Sequence, residues 1–195
     1  SGVFYQNITN VIGNGVALSV ENLESELKML ADSNIPCPNL MISDRAQIVM
    51  PYHKLFDVYE EERLFSKKFG STKSGIAPFY SDKFSKIGIQ VGQLFGNESE
   101  LKERIDNALS IKNVLLKNLY HKPEISSDEI FKKLMEYKKI LNPFVGDTFK
   151  FIYDAVKNNK PFIMNVYNYI DRAQVEVYLT PLVDNLLMGV IEEES

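Results

Sequence analysis

Near the N-terminus, apolar residues fall into two short runs with a helical pattern between them. Val11 and Ile12 lead into Gly13-Asn14-Gly15-Val16. That stretch, Asn10 to Val16, predicts a strand entering a tight turn, because glycine permits positive φ. Behind Ser19, a candidate N-cap, Val20, Leu23, Leu27, Leu30 and Ala31 recur at helical spacing, and Asn34 and Pro36 end the pattern. Leu40-Met41-Ile42-Ser43-Asp44 predicts a second short buried strand. Strand, helix and strand at this spacing predict a βαβ unit with a parallel pair. A further helix is expected after Pro51, through Tyr52, Leu55, Phe56, Tyr59 and Leu64, with Glu60, Glu61, Glu62 and Arg63 on its polar face.

The pattern then loosens. Ser66 to Gly96 holds Gly70, Gly75, Gly88, Gly92, Gly96 and Pro78 and reads as an irregular loop, a type that is functional or disordered when this long. From Asn97 the helical period returns. Asn97 with Glu100 resembles a capping box and opens a helix through Leu101, Ile105, Ala108, Leu109, Leu116 and Leu119 that Pro123 breaks. Ser126 with Glu129 opens another, through Ile130, Leu134, Tyr137 and Leu141, ended by Pro143 and Gly146. Asp147 caps a third, with Phe151, Ile152, Ala155 and Val156. Pro161–Ile170 and Gln174–Leu179 read as strands and Thr180–Glu194 as an amphipathic end. The expected organisation is an α/β segment over 1–96 with a loop at 66–96, a helical subdomain over 97–160, and strands with a C-terminal helix over 161–195.

Composition narrows the class. With 195 residues, 45% hydrophobic and 25% charged, the chain has ordinary globular composition and can bury one good core. A formal net charge of -4 disfavours non-specific nucleic-acid binding. Cys37 is the one cysteine, so no intrachain disulfide forms, which suits a reducing cytoplasm. No apolar run approaches the roughly 18 residues of a membrane span, and Ser1–Tyr5 does not resemble a signal peptide. The missing initial Met leads us to expect a piece of a longer product.

Lys67 to Gln93, KKFGSTKSGIAPFYSDKFSKIGIQVGQ, carries the densest chemistry. Glycines let backbone N–H groups approach a ligand, Ser71 and Thr72 add hydroxyls, and Lys67, Lys68, Lys73, Lys83 and Lys86 add positive charge. Together these suit a phosphate group; a solvated lysine-rich surface loop is the alternative. Pro78 is placed to begin a helix at its first position, where the dipole favours an anion. The Walker A spacing is absent. His53 and His121 lack ligand-spaced partners and read as ordinary core or surface histidines. Cys37, between Pro36 and Pro38, has no nameable activating base. Asp44-Arg45 follows a strand's carboxyl end, a position suited to ligands or to a simple ion pair.

The order of residues from Gly70 to Phe95, G-S-T-K-S-G-I-A-P-F-Y-S-D-K-F-S-K-I-G-I-Q-V-G-Q-L-F, resembles the signature of the adenylosuccinate synthetases. The family writes G-T-T-x-R-G-I-G-P-x-Y-x-D-K, two basic residues, then G-[LI]-R-V-G-D-L-F. Val11-Ile12-Gly13-Asn14-Gly15-Val16, Ile42-Ser43-Asp44-Arg45-Ala46 and Pro51-Tyr52-His53 resemble further family segments in the same order, so the likeness runs from Ser1 to about Ile163. It implies part of a larger mixed, mainly parallel sheet with a helical subdomain. It implies a ligase of AMP biosynthesis that joins IMP to L-aspartate, with GTP as co-substrate and Mg²⁺ as cofactor, in a cytoplasmic homodimer. It implies that Thr72 and Ser71 contact the IMP phosphate, that Lys86 stands where an arginine reaches a neighbouring subunit's IMP, and that Lys83 lies near the same site.

The departures are specific. Ser74 and Gln90 replace arginines, Ile87 replaces a basic residue, and Lys86 lacks an arginine's bidentate fork. The family's glycine-rich phosphate loop, catalytic aspartate and catalytic histidine are expected before Ser1, and its aspartate- and guanine-binding segments do not appear after Ile163. The chain by itself is therefore expected to carry no catalytic residue and no metal ligand, and to be inactive alone. A non-catalytic phosphate-binding or oligomerisation domain is the alternative.

Overall fold

Five short strands and the helices around them account for most of the described residues. The computed structural model describes residues 2–64 and 70–158. Strand β1 (Asn10–Ile12) pairs in parallel with β3 (Leu40–Ser43), with Val11 opposite Met41 and Ile12 opposite Ile42. Helix α1 (Val20–Asp32) makes the crossover and starts where its N-cap demands, the Ser19 hydroxyl accepting from the Asn22 N–H at 3.4 Å. Its chain reversal places Asn34 at φ 55. The βαβ unit is thus as its hydrophobic pattern implies.

The strands otherwise depart from expectation. The first run does not continue to Val16. It stops at Ile12, and a separate β2 (Ala17–Leu18) pairs in parallel with β4 (Gln47–Ile48) in a second, two-stranded sheet. On the far side of β3 lies β5 (Val145–Gly146), giving the order β1-β3-β5. Gly146, expected to stop a helix, sits in that strand. Two residues are too few to show a period, and the long-range pairing of Ile42 with Val145 and of Ser43 with Gly146 defines them as strand.

Helix α2 (Pro51–Leu64) follows β4 and buries Tyr52, His53, Phe56 and Asp57. The segment expected to be an irregular loop then folds into α3 (Ile76–Phe84) and a 3₁₀ turn (Val91–Phe95). It is structured because it is core: Phe79, Ile89, Val91 and Leu94 are each at most 1% exposed. Gln90 and Gln93 cap the 3₁₀ turn reciprocally, side chain to backbone in both directions. Pro78 is the third residue of α3 rather than its first, since the helix is entered from Gly75 at φ 80.

Helices α4 (Glu98–Leu115) and α5 (Ser127–Leu141) pack on each other, and α5 also reaches α1. Asn97 caps α4, accepting from the Ser99 N–H at 2.8 Å. A π turn at Leu116–Tyr120 closes it, with His121 left-handed at φ 53. After β5, α6 (Thr148–Lys157) is capped by Asp147, which accepts from the Lys150 N–H at 2.9 Å, and it lies against β3. One apolar cluster joins Ile42 and Ile48 of the sheets to Val91 and Leu94, and onward to Leu101, Ile105, Leu134 and Leu141. The stretch read as loop therefore supplies the seam between sheet and helices. The strands and helix expected beyond Pro161, and the expected loop residues 66–69, lie outside the described residues.

Candidate phosphate loop and its buried support

The loop between α2 and α3 is shaped by acids on the helix beneath it. Asp57, 6% exposed, accepts from the Ser71 hydroxyl at 2.5 Å with one oxygen and from the Gly75 N–H at 2.9 Å with the other. One turn along α2, Glu61 accepts from the Ser71 N–H at 3.2 Å. The Lys73 N–H in turn reaches the Ser71 hydroxyl at 3.1 Å. Backbone reversal comes from Gly70, Lys73 and Gly75, at φ 73, 56 and 80. At Gly75 glycine is required twice over, because a Cβ there would lie 2.7 Å from the Lys54 nitrogen and 2.8 Å from the His53 carbonyl carbon.

Helix α3 is fastened to its neighbours by a buried trio. Asp82 accepts from His53 Nε2 at 2.9 Å, and its other oxygen takes the Lys112 ammonium from α4. His53 Nδ1 accepts from the Met50 N–H at 3.0 Å, so the ring is the neutral Nε2–H tautomer with both nitrogens engaged. Burial lowers the pKa of His53 and Lys112 adds to that, against the opposing pull of Asp82. Burial alone would raise Asp82, but the hydrogen bonds of His53 and Lys112 outweigh it and hold the carboxyl below its ordinary value. Lys112 also lies 5.1 Å from the centre of the Phe56 ring.

The four residues expected at the phosphate occupy distinct settings. Ser71 is half-buried with its proton committed to Asp57. Thr72 is exposed, and its hydroxyl meets that of Ser74 at 2.8 Å. Lys83, on α3, lies 5.7 Å from the centre of the Tyr80 ring. Lys86, just past the helix, is exposed at φ 61. The amides of Ile76 and Ala77, at the start of α3, have no intrahelical acceptor, and Pro78 has no N–H at all. Elsewhere, Asp44 and Arg45 form no ion pair among the described residues. The Asp44 backbone carbonyl instead accepts from the Gly92 N–H at 2.6 Å. Cys37 is exposed. No helix among the described residues is long and apolar enough to cross a membrane.

The fold and loop together define an α/β protein with parallel sheets, a helical layer and a glycine-hydroxyl loop leading into a helix. The family model described as adenylosuccinate synthetase matches residues 1–166, and the chain belongs to that family. It is 37% identical over 164 residues to the adenylosuccinate synthetase of Caldicellulosiruptor saccharolyticus, covering 84% of this chain and 38% of that protein. To the enzyme of Lactobacillus delbrueckii subsp. bulgaricus it is 42% identical over 160 residues, covering 82% and 37%. The structure of fully ligated adenylosuccinate synthetase from Plasmodium falciparum superimposes with a TM-score of 0.65 at 30% identity, covering 82% of this chain and 36% of that one. The chain thus spans under two fifths of the length of the curated relatives it matches. A second model, described as a transcriptional regulator C-terminal region, matches residues 145–195 and overlaps the end of the first.

Asp57, His53 and Asp82 were not singled out as functional by sequence reasoning. His53 and Asp82 lie in family-like segments, which was the one signal available; Asp57 lies in none of those segments, and the side-chain partners that join α2, α3 and α4 stand 14 to 30 positions apart.

Proposed function

We propose that this chain supplies the IMP-phosphate loop of an adenylosuccinate synthetase, which in its full-length form joins IMP to L-aspartate with GTP as co-substrate. The observation that carries this reading is the turn from Gly70 to Gly75, held on α2 by Asp57 and running directly into α3. Thr72 offers a hydroxyl donor. Ile76 and Ala77 offer helix-start amides, and Lys83 and Lys86 offer charge to the phosphate dianion. Ser71 acts at the same site by shaping the turn, since its proton goes to Asp57. The reading further takes the protein to be a cytoplasmic homodimer. For Mg²⁺, no group of three or more His, Cys, Asp or Glu able to hold a metal occurs among the described residues.

Isothermal titration of the 195-residue chain with IMP tests the proposal. Thr72→Ala and Lys86→Ala should each weaken binding by about tenfold, the usual loss for a hydrogen bond to a charged group. Equal affinity in both variants would remove the phosphate assignment.

A second reading is a non-catalytic phosphate-binding or oligomerisation domain. It is favoured by Ser74, Ile87 and Gln90, which stand where the family has basic residues, and by the different family model over 145–195. Restoring the charges with Ser74→Arg and Gln90→Arg separates the two. Recovery of tight IMP binding supports the synthetase reading, and no gain supports the alternative.

A further inference from the structure

We propose that Asp57 is the positioning residue of this loop. Its one carboxylate ties Ser71 and Gly75, near the two ends of the turn, to the same point on α2, and so sets the shape that Thr72 and the start of α3 present. The inference rests on the phosphate reading of the loop. Three observations carry it. The two oxygens are divided, one to the Ser71 hydroxyl at 2.5 Å and one to the Gly75 N–H at 2.9 Å, so the distance across the turn is fixed by a single rigid group. The acid is buried at 6% exposure, where charge-assisted hydrogen bonds are strong and a lost partner is costly. The held residues bracket Thr72, Lys73 and Ser74, and among the described residues the Thr72 and Ser74 hydroxyls bond to each other rather than to the helices below.

The pattern also sorts the donors of the loop. Ser71 and Gly75 turn their N–H groups inward to carboxylates. The Thr72 hydroxyl and the amides of Ile76 and Ala77 are donors not committed to those carboxylates, and the position of the two amides follows from where Gly75 is pinned. Asparagine at position 57 keeps one acceptor but places an NH₂ where the second stood, so one arm of the clamp must turn over. Alanine loses both arms. The expected order of effect is Asp57→Ala greater than Asp57→Asn.

The test uses the full 195-residue chain, with IMP as ligand and amide hydrogen exchange followed by NMR. The expected result has two parts. IMP affinity falls by about tenfold in Asp57→Asn and further in Asp57→Ala, at a temperature where each is fully folded. Exchange accelerates at Gly75 and its neighbours while the amides of α4 and α5 keep their protection. If Asp57→Ala does not fold, Asp57→Asn carries the test alone. Unchanged IMP affinity in Asp57→Asn, with binding by the unaltered chain intact, overturns the inference and leaves the phosphate reading standing. If the unaltered chain fails to bind IMP, the phosphate reading fails for this chain. The clamp is then judged on exchange: faster Gly75 exchange in Asp57→Asn supports it and unchanged exchange overturns it.

Discussion

Gly75 concentrates the constraints of the loop in one residue. It takes φ 80, a conformation that costs a residue with a side chain about 1–2 kcal/mol, and any Cβ would drive into the backbone of α2 at Lys54 and His53. The neighbour is backbone, so it cannot move aside as a flexible side chain would. Gly75→Ala is therefore expected to destabilise by roughly 2 kcal/mol or more, read as a lower urea midpoint with an unchanged slope. A midpoint within error of the unaltered protein would mean that the turn relaxes freely, and the close approach would not matter. At this scale the sequence showed the glycines, hydroxyls and lysines of the loop because they stand together and in a distinctive order. It did not show what holds them. Asp57 lies 14 positions before Ser71 and 18 before Gly75, and Asp82 lies 29 from His53 and 30 from Lys112. Nothing local in an apolar or polar pattern marks such pairs; they exist only once α2, α3 and α4 are packed.

At the level of helices, the start signals read from sequence divide into those the fold uses and those it does not. Ser19, Asn97 and Asp147 each accept a backbone N–H at the start of a helix. Ser126 occupies an N-cap with extended φ and ψ, but its side chain makes no cap bond, and the adjacent Ser127 hydroxyl bonds to Asp106 of α4. The Ser-x-x-Glu pattern located the start of α5 correctly while the chemistry behind the pattern is unused. Asn97→Ala should thus cost about 1 kcal/mol, whereas Ser126→Ala should fall within about 0.5 kcal/mol of neutral. Matched losses for the two, in thermal or urea unfolding, would show that the Ser126 cap forms in solution. Helix α3 was legible only as a helix start at Pro78, two residues late and inside a stretch otherwise read as loop, for the opposite reason. Its nine residues include a proline and follow a glycine-rich stretch, so local signals argued for loop. Burial of Phe79 and the fastening of Asp82 override them. β5 was illegible because two residues have no period, and α6 then continues against β3.

Across the whole molecule, the trio of His53, Asp82 and Lys112 is where the part that carries the loop meets the long helix α4, and it makes their union sensitive to acid. His53 is 1% exposed, neutral, and bonded through both ring nitrogens. Its folded pKa lies below the ordinary value of about 6.5, so between the two values the unfolded chain binds the extra proton and the fold does not. Stability is therefore full above about pH 6.5 and declines as pH falls toward the folded pKa, by about 1.4 kcal/mol for each unit separating the two values. Protonation at Nδ1 would also displace the Met50 N–H that anchors the start of α2. A second decline follows at lower pH. The folded pKa of Asp82 is held down by His53 and Lys112, so its contribution is present above about pH 4 and is lost as pH falls through the folded value. His53→Asn keeps an acceptor near the Met50 N–H and removes the titrating ring. That variant should be less stable at pH 7, yet its thermal midpoint should hold nearly level between pH 7 and 5, where the unaltered protein's falls. A drop of the same size in both proteins would assign the acid sensitivity to other groups and leave His53 a packing residue whose proton the fold does not feel.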